Sequence, residues 1–116
     1  MILVTGGTGL VGSHLLAALL QQKAGVRATY REGTDLGALR RRLSSQYPDI
    51  ESRWETIEWV CAPLTDIPAL EIAVRGIRTI FHCAGLIDFD PRRSEVLLQT
   101  NWEGTKNLVN TALAAG

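Results

Sequence analysis

The sequence has few cysteines, no excess of charge of either sign and no long apolar run. Cysteine occurs only at Cys61 and Cys83, which is too sparse for a disulfide framework, so we expect reduced thiols. Twelve basic side chains balance twelve acidic ones, which gives no support to binding of nucleic acid or of an anionic membrane surface. No apolar stretch approaches the roughly 20 residues of a membrane span, and the first residues lack the basic start of a secretory signal. These absences predict a cytoplasmic protein without a nucleic-acid or membrane partner.

What is present is the composition of one globular domain, with 116 residues of which 46% are hydrophobic. Short apolar runs predict strands at Ile2–Thr5, Val26–Tyr30, Thr56–Cys61 and Ile77–Cys83. Helical spacing predicts helices at Leu10–Gln22, Thr34–Ser45, Asp66–Val74 and Arg93–Ala115, with an irregular segment at Tyr47–Glu55. Strands that alternate with helices imply right-handed crossovers, so the predicted fold is an α/β, doubly wound parallel sheet in the order 3-2-1-4.

A glycine-rich loop joins the first predicted strand to the first predicted helix. Its sequence, TGGTGLVG at residues 5–12, contains Gly7-x-Gly9-x-x-Gly12 and the related three-residue spacing of Gly6, Gly9 and Gly12. In this context the glycines permit a tight turn, close approach of a pyrophosphate and close packing of the helix, whose free N–H groups face the anion. The loop predicts a dinucleotide site. A plain tight turn is the alternative, and a mononucleotide loop is disfavoured because no Gly-Lys-Ser/Thr follows.

The end of the second predicted strand bears on the choice between NAD and NADP. An acidic residue there normally accepts hydrogen bonds from the adenosine ribose. The strand instead ends in Thr29-Tyr30-Arg31, and a guanidinium would pair with a 2′-phosphate, so NADP is favoured over NAD. Two alternatives stay open: Glu32 would restore NAD after a slip of one residue, and Arg31 would be only a solvated loop residue. Arg27 is expected to be a second cation or solvated.

Five short motifs make the chain similar to a known family. In chain order they are TGxxGxxG at residues 5–12, VRATYR at 26–31, LTD at 64–66, FHCAG at 81–85 and NxxGTxN at 101–107. The set resembles the extended short-chain dehydrogenase/reductase family, which contains NAD-dependent sugar epimerases and dehydratases, dihydroflavonol-type reductases and 3β-hydroxysteroid dehydrogenases. The resemblance implies that residues 1–116 form a Rossmann-type NAD(P)-binding domain, truncated after about four strands, with the substrate-binding part absent.

The resemblance also implies a role for each motif. Gly6, Gly9, Leu10 and Val11 would line the pyrophosphate, Arg31 would lie near the adenosine 2′ position, and Leu64 would flank the adenine. Cys83, Ala84 and Gly85 would pass beneath the ribose on the nicotinamide side, and Asn101 would support the active site from the long helix. Packing at the strand end is an alternative role for Cys83 and its neighbour His82.

Four other features have simpler interpretations. His14 is expected to lie on a helix surface, and Asn107 to order the long helix and its neighbours rather than contact a cofactor. Arg40-Arg41-Arg42 is expected to be a solvated helix face, and Trp54 and Trp59 to pack in the core.

The chain departs from the family pattern at two places. The family commonly has an aspartate that reaches the adenine amino group at the position of Pro63, so contact with adenine is expected to be weaker or rearranged. The family reaction depends on a Tyr-x-x-x-Lys pair for proton exchange. Tyr30 and Tyr47 are followed four places on by Thr34 and Glu51, so no catalytic residue is assigned and the chain alone is expected to be inactive. No metal site is expected.

The function predicted from these observations is the NAD(P)-binding portion of an oxidoreductase, epimerase or dehydratase. Its substrate would be a carbonyl compound or a secondary alcohol, such as a nucleotide sugar. A non-catalytic NAD(P)-binding sensor or scaffold is the alternative, and a flavin or mononucleotide binder on the same fold is a third candidate. The resemblance also suggests a homodimer formed through the C-terminal helix.

Overall fold

Four strands alternate with four α-helices in the computed structural model, which describes residues 1–84, 92 and 94–116 without the side chains of residues 94 and 96–100. The elements are β1 Ile2–Thr5, α1 Leu10–Gln21, β2 Val26–Tyr30, α2 Leu36–Gln46, a 3₁₀ helix Pro48–Thr56, β3 Glu58–Cys61, α3 Ile67–Ala73, β4 Thr79–His82 and α4 Ser94–Ala115. The α/β class expected from the sequence is confirmed. In the described part of the chain, no helix is long and apolar enough to cross a membrane.

The strands form one parallel sheet in the order β3-β2-β1-β4, as the sequence predicted. Ile2 of β1 pairs with Val26 of β2 on one side and with Thr79 of β4 on the other. The order reverses at β1, because β2 lies to one side of it and β4 to the other. In parallel sheets, ligands bind outside the carboxyl ends of the strands at such a reversal.

Side chains of β1 divide the core into two layers. Leu3 and Val4 are both fully buried, and because successive side chains of a strand point to opposite faces they belong to different clusters. Val4 packs with residues of α1, α2 and the 3₁₀ helix, whereas Leu3 packs with Leu70 of α3 and Leu108 of α4. A parallel sheet covered on both faces accounts for the apolar character of its strands.

Two aspartates set the starts of the shorter helices. Asp35 Oδ1 accepts a hydrogen bond of 2.9 Å from the amide of Ala38, and Asp66 Oδ1 accepts one of 3.1 Å from the amide of Ala69. Each aspartate occupies the N-cap position, where a side-chain acceptor satisfies an amide that the helix leaves free. The cap of α2 is thus Asp35 and not Thr34, where the predicted helix began.

The segment expected to be irregular is a 3₁₀ helix, Pro48–Thr56. Its Ile50 and Trp54 are four residues apart and both are buried against the layer that contains α1 and α2. Because the 3₁₀ helix runs to Thr56, β3 begins at Glu58, two residues later than expected. The packing role expected for Trp54 is confirmed.

The arginine run of α2 is not simply a solvated face. Arg40 bridges this helix to the 3₁₀ helix, with its Nε 3.0 Å from Glu51 Oε1 and its Nη1 2.8 Å from Glu55 Oε1. Arg42 donates from Nη2 to Ser13 Oγ at 3.3 Å, which joins α2 to α1. The expectation is incomplete for Arg40, because two acidic side chains 11 and 15 residues further along the sequence fold back onto it, whereas Arg41 and Arg42 are exposed as expected.

Candidate functional site

A cleft of about 270 Å³ runs along the carboxyl ends of all four strands. The strand ends and α4 supply its lining, which is Gly6, Thr8 and Gly9 after β1, Thr29 and Tyr30 of β2 with Arg31 after it, Ala62, Pro63, Leu64 and Thr65 after β3, Cys83 and Ala84 after β4, and Asn101 of α4. Seven residues singled out from the sequence are thus brought together, namely Gly6, Gly9, Arg31, Leu64, Cys83, Ala84 and Asn101. Gly85 lies outside the described residues.

The glycine loop is held against two backbone segments. Gly6 has φ +67°, and a Cβ added there would lie 2.6 Å from the Cα of Ala84. A Cβ added at Gly12 would lie 2.0 Å from the carbonyl oxygen of Gly6. Neither contact leaves room for a side chain, so these two glycines are required by the fold of the loop itself.

Gly9 is different, because it has room for a Cβ. An added Cβ there would meet only the carbonyl oxygen of Gly6 at 3.5 Å, which is an ordinary contact. Gly9 is also the N-cap of α1 and supplies no side-chain cap, and no acidic residue occupies the first turn of that helix. The positive end of α1 and its first N–H groups are therefore open toward the cleft, which is the arrangement that binds phosphates.

The side chains of Leu10 and Val11 lie outside the cleft. They are 76% and 70% exposed on the first turn of α1 and do not belong to the lining. Their backbone amides, rather than their side chains, would be available to bind a diphosphate, since the first N–H groups of a helix have no acceptor within it.

Arg31 stands at the tip of β2 and faces the cleft. A turn fixes its backbone, because the hydroxyl of Thr34 donates to the carbonyl oxygen of Arg31 at 2.7 Å. Arg31 is exposed, and no ion pair engages its guanidinium within the described part of the chain. Glu32, the alternative residue for hydrogen bonding to the ribose, is exposed and is not part of the lining. The strand register therefore presents the cation, not the carboxylate, to the cleft.

Arg27 is neither a second cation of the cleft nor solvated. Its Nε lies 2.9 Å from Glu58 Oε2, and its Nη1 donates to the carbonyl oxygens of Ala73 at 2.7 Å and of Arg75 at 2.6 Å. The first carbonyl belongs to the last residue of α3 and the second lies two residues beyond it, where unpaired acceptors and the negative end of the helix favour a cation. Both interpretations of Arg27 from the sequence were wrong, since neither could foresee which helix end would lie beside the strand.

The segment after β3 is clamped by α4. A Cβ added at Gly104 would lie 2.9 Å from the Cβ of Leu64, so only glycine lets the helix approach this closely. Three residues further along, Asn107 Nδ2 donates to the carbonyl oxygen of Leu64 at 2.9 Å. The ordering role expected for Asn107 is therefore what the structure shows. Asn101, one turn before Gly104, belongs to the lining of the cleft.

The end of β4 is held by a network around Thr5, which is fully buried. Thr5 Oγ1 accepts from the amides of Cys83 at 3.2 Å and Ala84 at 3.4 Å and lies 2.7 Å from His82 Nδ1. Its proton therefore points to Nδ1, which leaves the histidine proton on Nε2, where it donates to Thr105 Oγ1 at 2.9 Å. The sequence offered no signal for this network, which joins β1, β4 and α4.

The network requires a neutral His82. Burial lowers the pKa of its imidazole below the usual value, and a second ring proton would face an oxygen already engaged by amides. The pKa of His82 is lower in the folded state than in the unfolded state, where it is about 6.5. We therefore expect the free energy of unfolding to be highest above pH 6.5 and to decrease as the pH falls below that value.

Urea unfolding of the native protein and of His82→Gln between pH 7.5 and pH 5 measures this effect. Glutamine can bond to both threonines but does not titrate, so its stability should fall less over this range. One fully coupled proton changes the free energy of unfolding by about 1.4 kcal/mol per pH unit. The difference in pH dependence between the two proteins should be smaller than this, because His82 lies at an exposed edge. Parallel pH dependence of the two proteins would contradict the assignment.

His14 is not the simple helix-surface residue expected from the sequence. Its Nδ1 lies 2.9 Å from the hydroxyl of Tyr47, and the two rings meet edge to face at 5.8 Å. This contact joins α1 to the residue between α2 and the 3₁₀ helix, away from the lining of the cleft. Among the described residues, no group of three or more His, Cys, Asp or Glu side chains could hold a metal ion.

Comparison with known proteins agrees with this geometry. Residues 2–116 match the model of the NAD dependent epimerase/dehydratase family. The chain belongs to this family. Membership implies a nicotinamide cofactor and accounts for the glycine loop, the strand order and the cleft together.

Relatives within the epimerase/dehydratase family include reductases and dehydrogenases. The chain is 31% identical to aldehyde reductase 2 of Sporidiobolus salmonicolor, with 98% of this chain and 32% of the relative covered. It is 33% identical to a 3-beta-hydroxysteroid dehydrogenase of Mycolicibacterium neoaurum, with 99% and 29% covered. The chain therefore spans about a third of the length of the curated relatives it matches.

A solved structure shares the fold. A short-chain dehydrogenase/reductase superfamily protein from Agrobacterium tumefaciens, with bound NAD, superimposes with a TM-score of 0.70 at 30% identity. The match covers 100% of this chain and 30% of that protein.

Proposed function

We propose that this chain is the NADP-binding portion of an oxidoreductase, epimerase or dehydratase that acts on a carbonyl compound or secondary alcohol, such as a nucleotide sugar. The observation that carries the proposal is the uncapped start of α1, which opens beside Gly9 into the cleft at the reversal of strand order. Backbone amides at that position suit a diphosphate, and the two halves of a dinucleotide would extend to either side of it.

Each end of the cleft would then hold one nucleoside. The tip of β2 reads the adenosine ribose in this fold, so the adenosine would lie on the side of β2 and β3. The nicotinamide half would lie toward Cys83 and Ala84 after β4, with Asn101 above it on α4. The Thr5 network fixes the position of this wall. The cofactor supplies hydride transfer when bound.

The preference for NADP rests on charge. Arg31 is the only charged side chain among the described cleft residues, and none of them carries a carboxylate. A ribose with a free 2′-hydroxyl would find no acidic acceptor there, whereas a 2′-phosphate would meet an unpaired guanidinium.

Replacement of Arg31 by alanine tests this preference. Charge-assisted hydrogen bonds contribute about 1.5–3 kcal/mol, so the affinity for NADPH should fall by roughly 10–100-fold while that for NADH stays within about 3-fold. Titration followed by nicotinamide fluorescence measures both affinities. Glu32→Gln is the matched control, because it changes the neighbouring charge outside the cleft and should leave both affinities intact. Equal affinity of the native protein for the two cofactors would refute the preference.

The proton-transfer residues are proposed to lie outside this chain, because neither Tyr30 nor Tyr47 has a lysine four places on. Within the chain, the residues around the cleft bind and orient the cofactor. The non-catalytic sensor or scaffold is the less favoured alternative, since the relatives named above are a reductase and a dehydrogenase.

The homodimer through α4 and the cytoplasmic location stay predictions. For the dimer, the support is that Trp102, Val109 and Leu113 are 66%, 49% and 75% exposed at helical spacing on one side of α4. An apolar strip of this kind favours burial against a second surface.

A further inference from the structure

The wall of the cleft after β3 has few side-chain groups that could hydrogen-bond to the edge of a purine base. Ala62 and Pro63 carry no polar side-chain atom, and proline also lacks an N–H group. The amide of Ala62 is already used, since it donates to the carbonyl oxygen of Tyr30 at 3.1 Å. The carbonyl oxygen of Leu64 accepts from Asn107 Nδ2. The side chains of Ala62, Pro63 and Leu64 therefore offer a base apolar surface.

This wall is where the base would lie if the proposed function holds. With the diphosphate at the start of α1 and the ribose at the tip of β2, the adenosine base falls beside the segment that follows β3. The hydroxyl-bearing side chains nearby include Thr29, Tyr30 and Thr65, and a hydroxyl can both donate and accept. A hydroxyl serves an amino group or a carbonyl group equally well.

We propose that the cleft recognises the 2′-phosphate and the face of the base but not its hydrogen-bonding edge, so that hypoxanthine replaces adenine with little loss. Hypoxanthine carries a carbonyl in place of the 6-amino group and N1–H in place of an acceptor at N1. A site built to bond such groups rejects the wrong partner by orders of magnitude, whereas an apolar wall discriminates weakly. Pro63 is the residue that determines this tolerance, because its side chain occupies the wall without a donor or an acceptor and its carbonyl oxygen already accepts from the amide of Asp66.

The direct test compares NADPH with reduced nicotinamide hypoxanthine dinucleotide phosphate on the native protein. Both fluoresce through the reduced nicotinamide, so one titration format measures both dissociation constants. We expect the two constants to agree within about 3-fold, because no side chain of the wall after β3 is restricted to donating or to accepting a hydrogen bond. A native preference for adenine of 10-fold or more would overturn the inference. Failure of both ligands to bind would instead refute the proposed function, and the inference would fall with it.

Two variants of Pro63 locate the effect. Pro63→Asp places a carboxylate in the wall, and a carboxylate can only accept hydrogen bonds. It would accept from the amino group of adenine and repel the carbonyl group of hypoxanthine, so this variant should prefer adenine by about 10-fold or more. Pro63→Asn is the matched control, since its amide can accept from adenine or donate to hypoxanthine and should leave the ratio near that of the native protein.

The carbonyl oxygen of Pro63, which accepts from the amide of Asp66 at 2.9 Å, is retained in both variants. An unchanged ratio in a folded Pro63→Asp protein would show that the base lies elsewhere and would overturn the assignment of Pro63. If that variant does not fold, the comparison on the native protein still decides the inference.

Discussion

Replacement of Gly12 by alanine should destabilise the protein by at least about 3 kcal/mol and abolish dinucleotide binding. The new Cβ would lie 2.0 Å from the carbonyl oxygen of Gly6, and a backbone atom cannot move aside as a flexible side chain would. The gain in helix propensity from glycine to alanine is only about 1 kcal/mol and cannot offset this overlap. Urea unfolding followed by circular dichroism measures the change, and a variant as stable as the native protein would disprove the close packing of α1 on the loop.

Gly9→Ala is the matched control within the same loop. The added Cβ has ordinary contacts only, so the variant should fold with a stability within about 1 kcal/mol of the native protein. Because Gly9 lines the cleft at the start of α1, the same methyl group should weaken NADPH binding. The two substitutions thus separate the glycine that the fold requires from the glycine that the ligand requires.

Replacement of Thr5 by valine should cost about 2–3 kcal/mol of unfolding free energy, although valine has nearly the same shape. Thr5 is fully buried, and loss of its hydroxyl leaves His82 Nδ1 and the amide of Ala84 without the bonds they make to it. The amide of Cys83 keeps a partner, since it also donates to the carbonyl oxygen of Thr5 at 3.1 Å. Because Cys83 and Ala84 line the cleft, the affinity for NADPH should fall as well.

Thr5→Ser distinguishes the hydroxyl from the methyl group. Serine keeps the hydrogen bonds and loses one buried methyl group, so its cost should be about 1 kcal/mol. If valine proves milder than serine in urea unfolding, packing rather than hydrogen bonding holds the end of β4.

The fold could be predicted from the sequence because its signals are local. Short apolar runs predicted the four strands, and the glycine loop predicted the position of the cleft at the end of β1. The 3₁₀ helix was missed because its two anchors, Ile50 and Trp54, acquire meaning only when α1 and α2 offer a surface to bury them. Residue propensities carry no information about that surface, because it forms only in the tertiary structure.

Side-chain partners in three dimensions were harder to predict than the residues of the cleft. Arg27 of β2 and Arg31 just after the strand are four residues apart and look equivalent in the sequence. Arg27 nevertheless donates to the carbonyl oxygen of Ala73 at the end of α3, whereas Arg31 lines the cleft. The fate of Arg27 depends on where the last carbonyls of α3 come to lie, which is decided by tertiary packing. Gly104 was part of a recognised motif, but its contact with Leu64 could be seen only once α4 was in place.

The division of the core at β1 has a consequence for the order of folding. The buried members of the layer that contains Val4 lie between Val4 and Ile57, so this layer can close within one contiguous stretch of chain. The layer that contains Leu3 must wait for Leu108, which is far away in the sequence and costs more chain entropy to bring in. During synthesis on the ribosome, half of the nucleotide cradle can therefore assemble before the helix that completes it has been made.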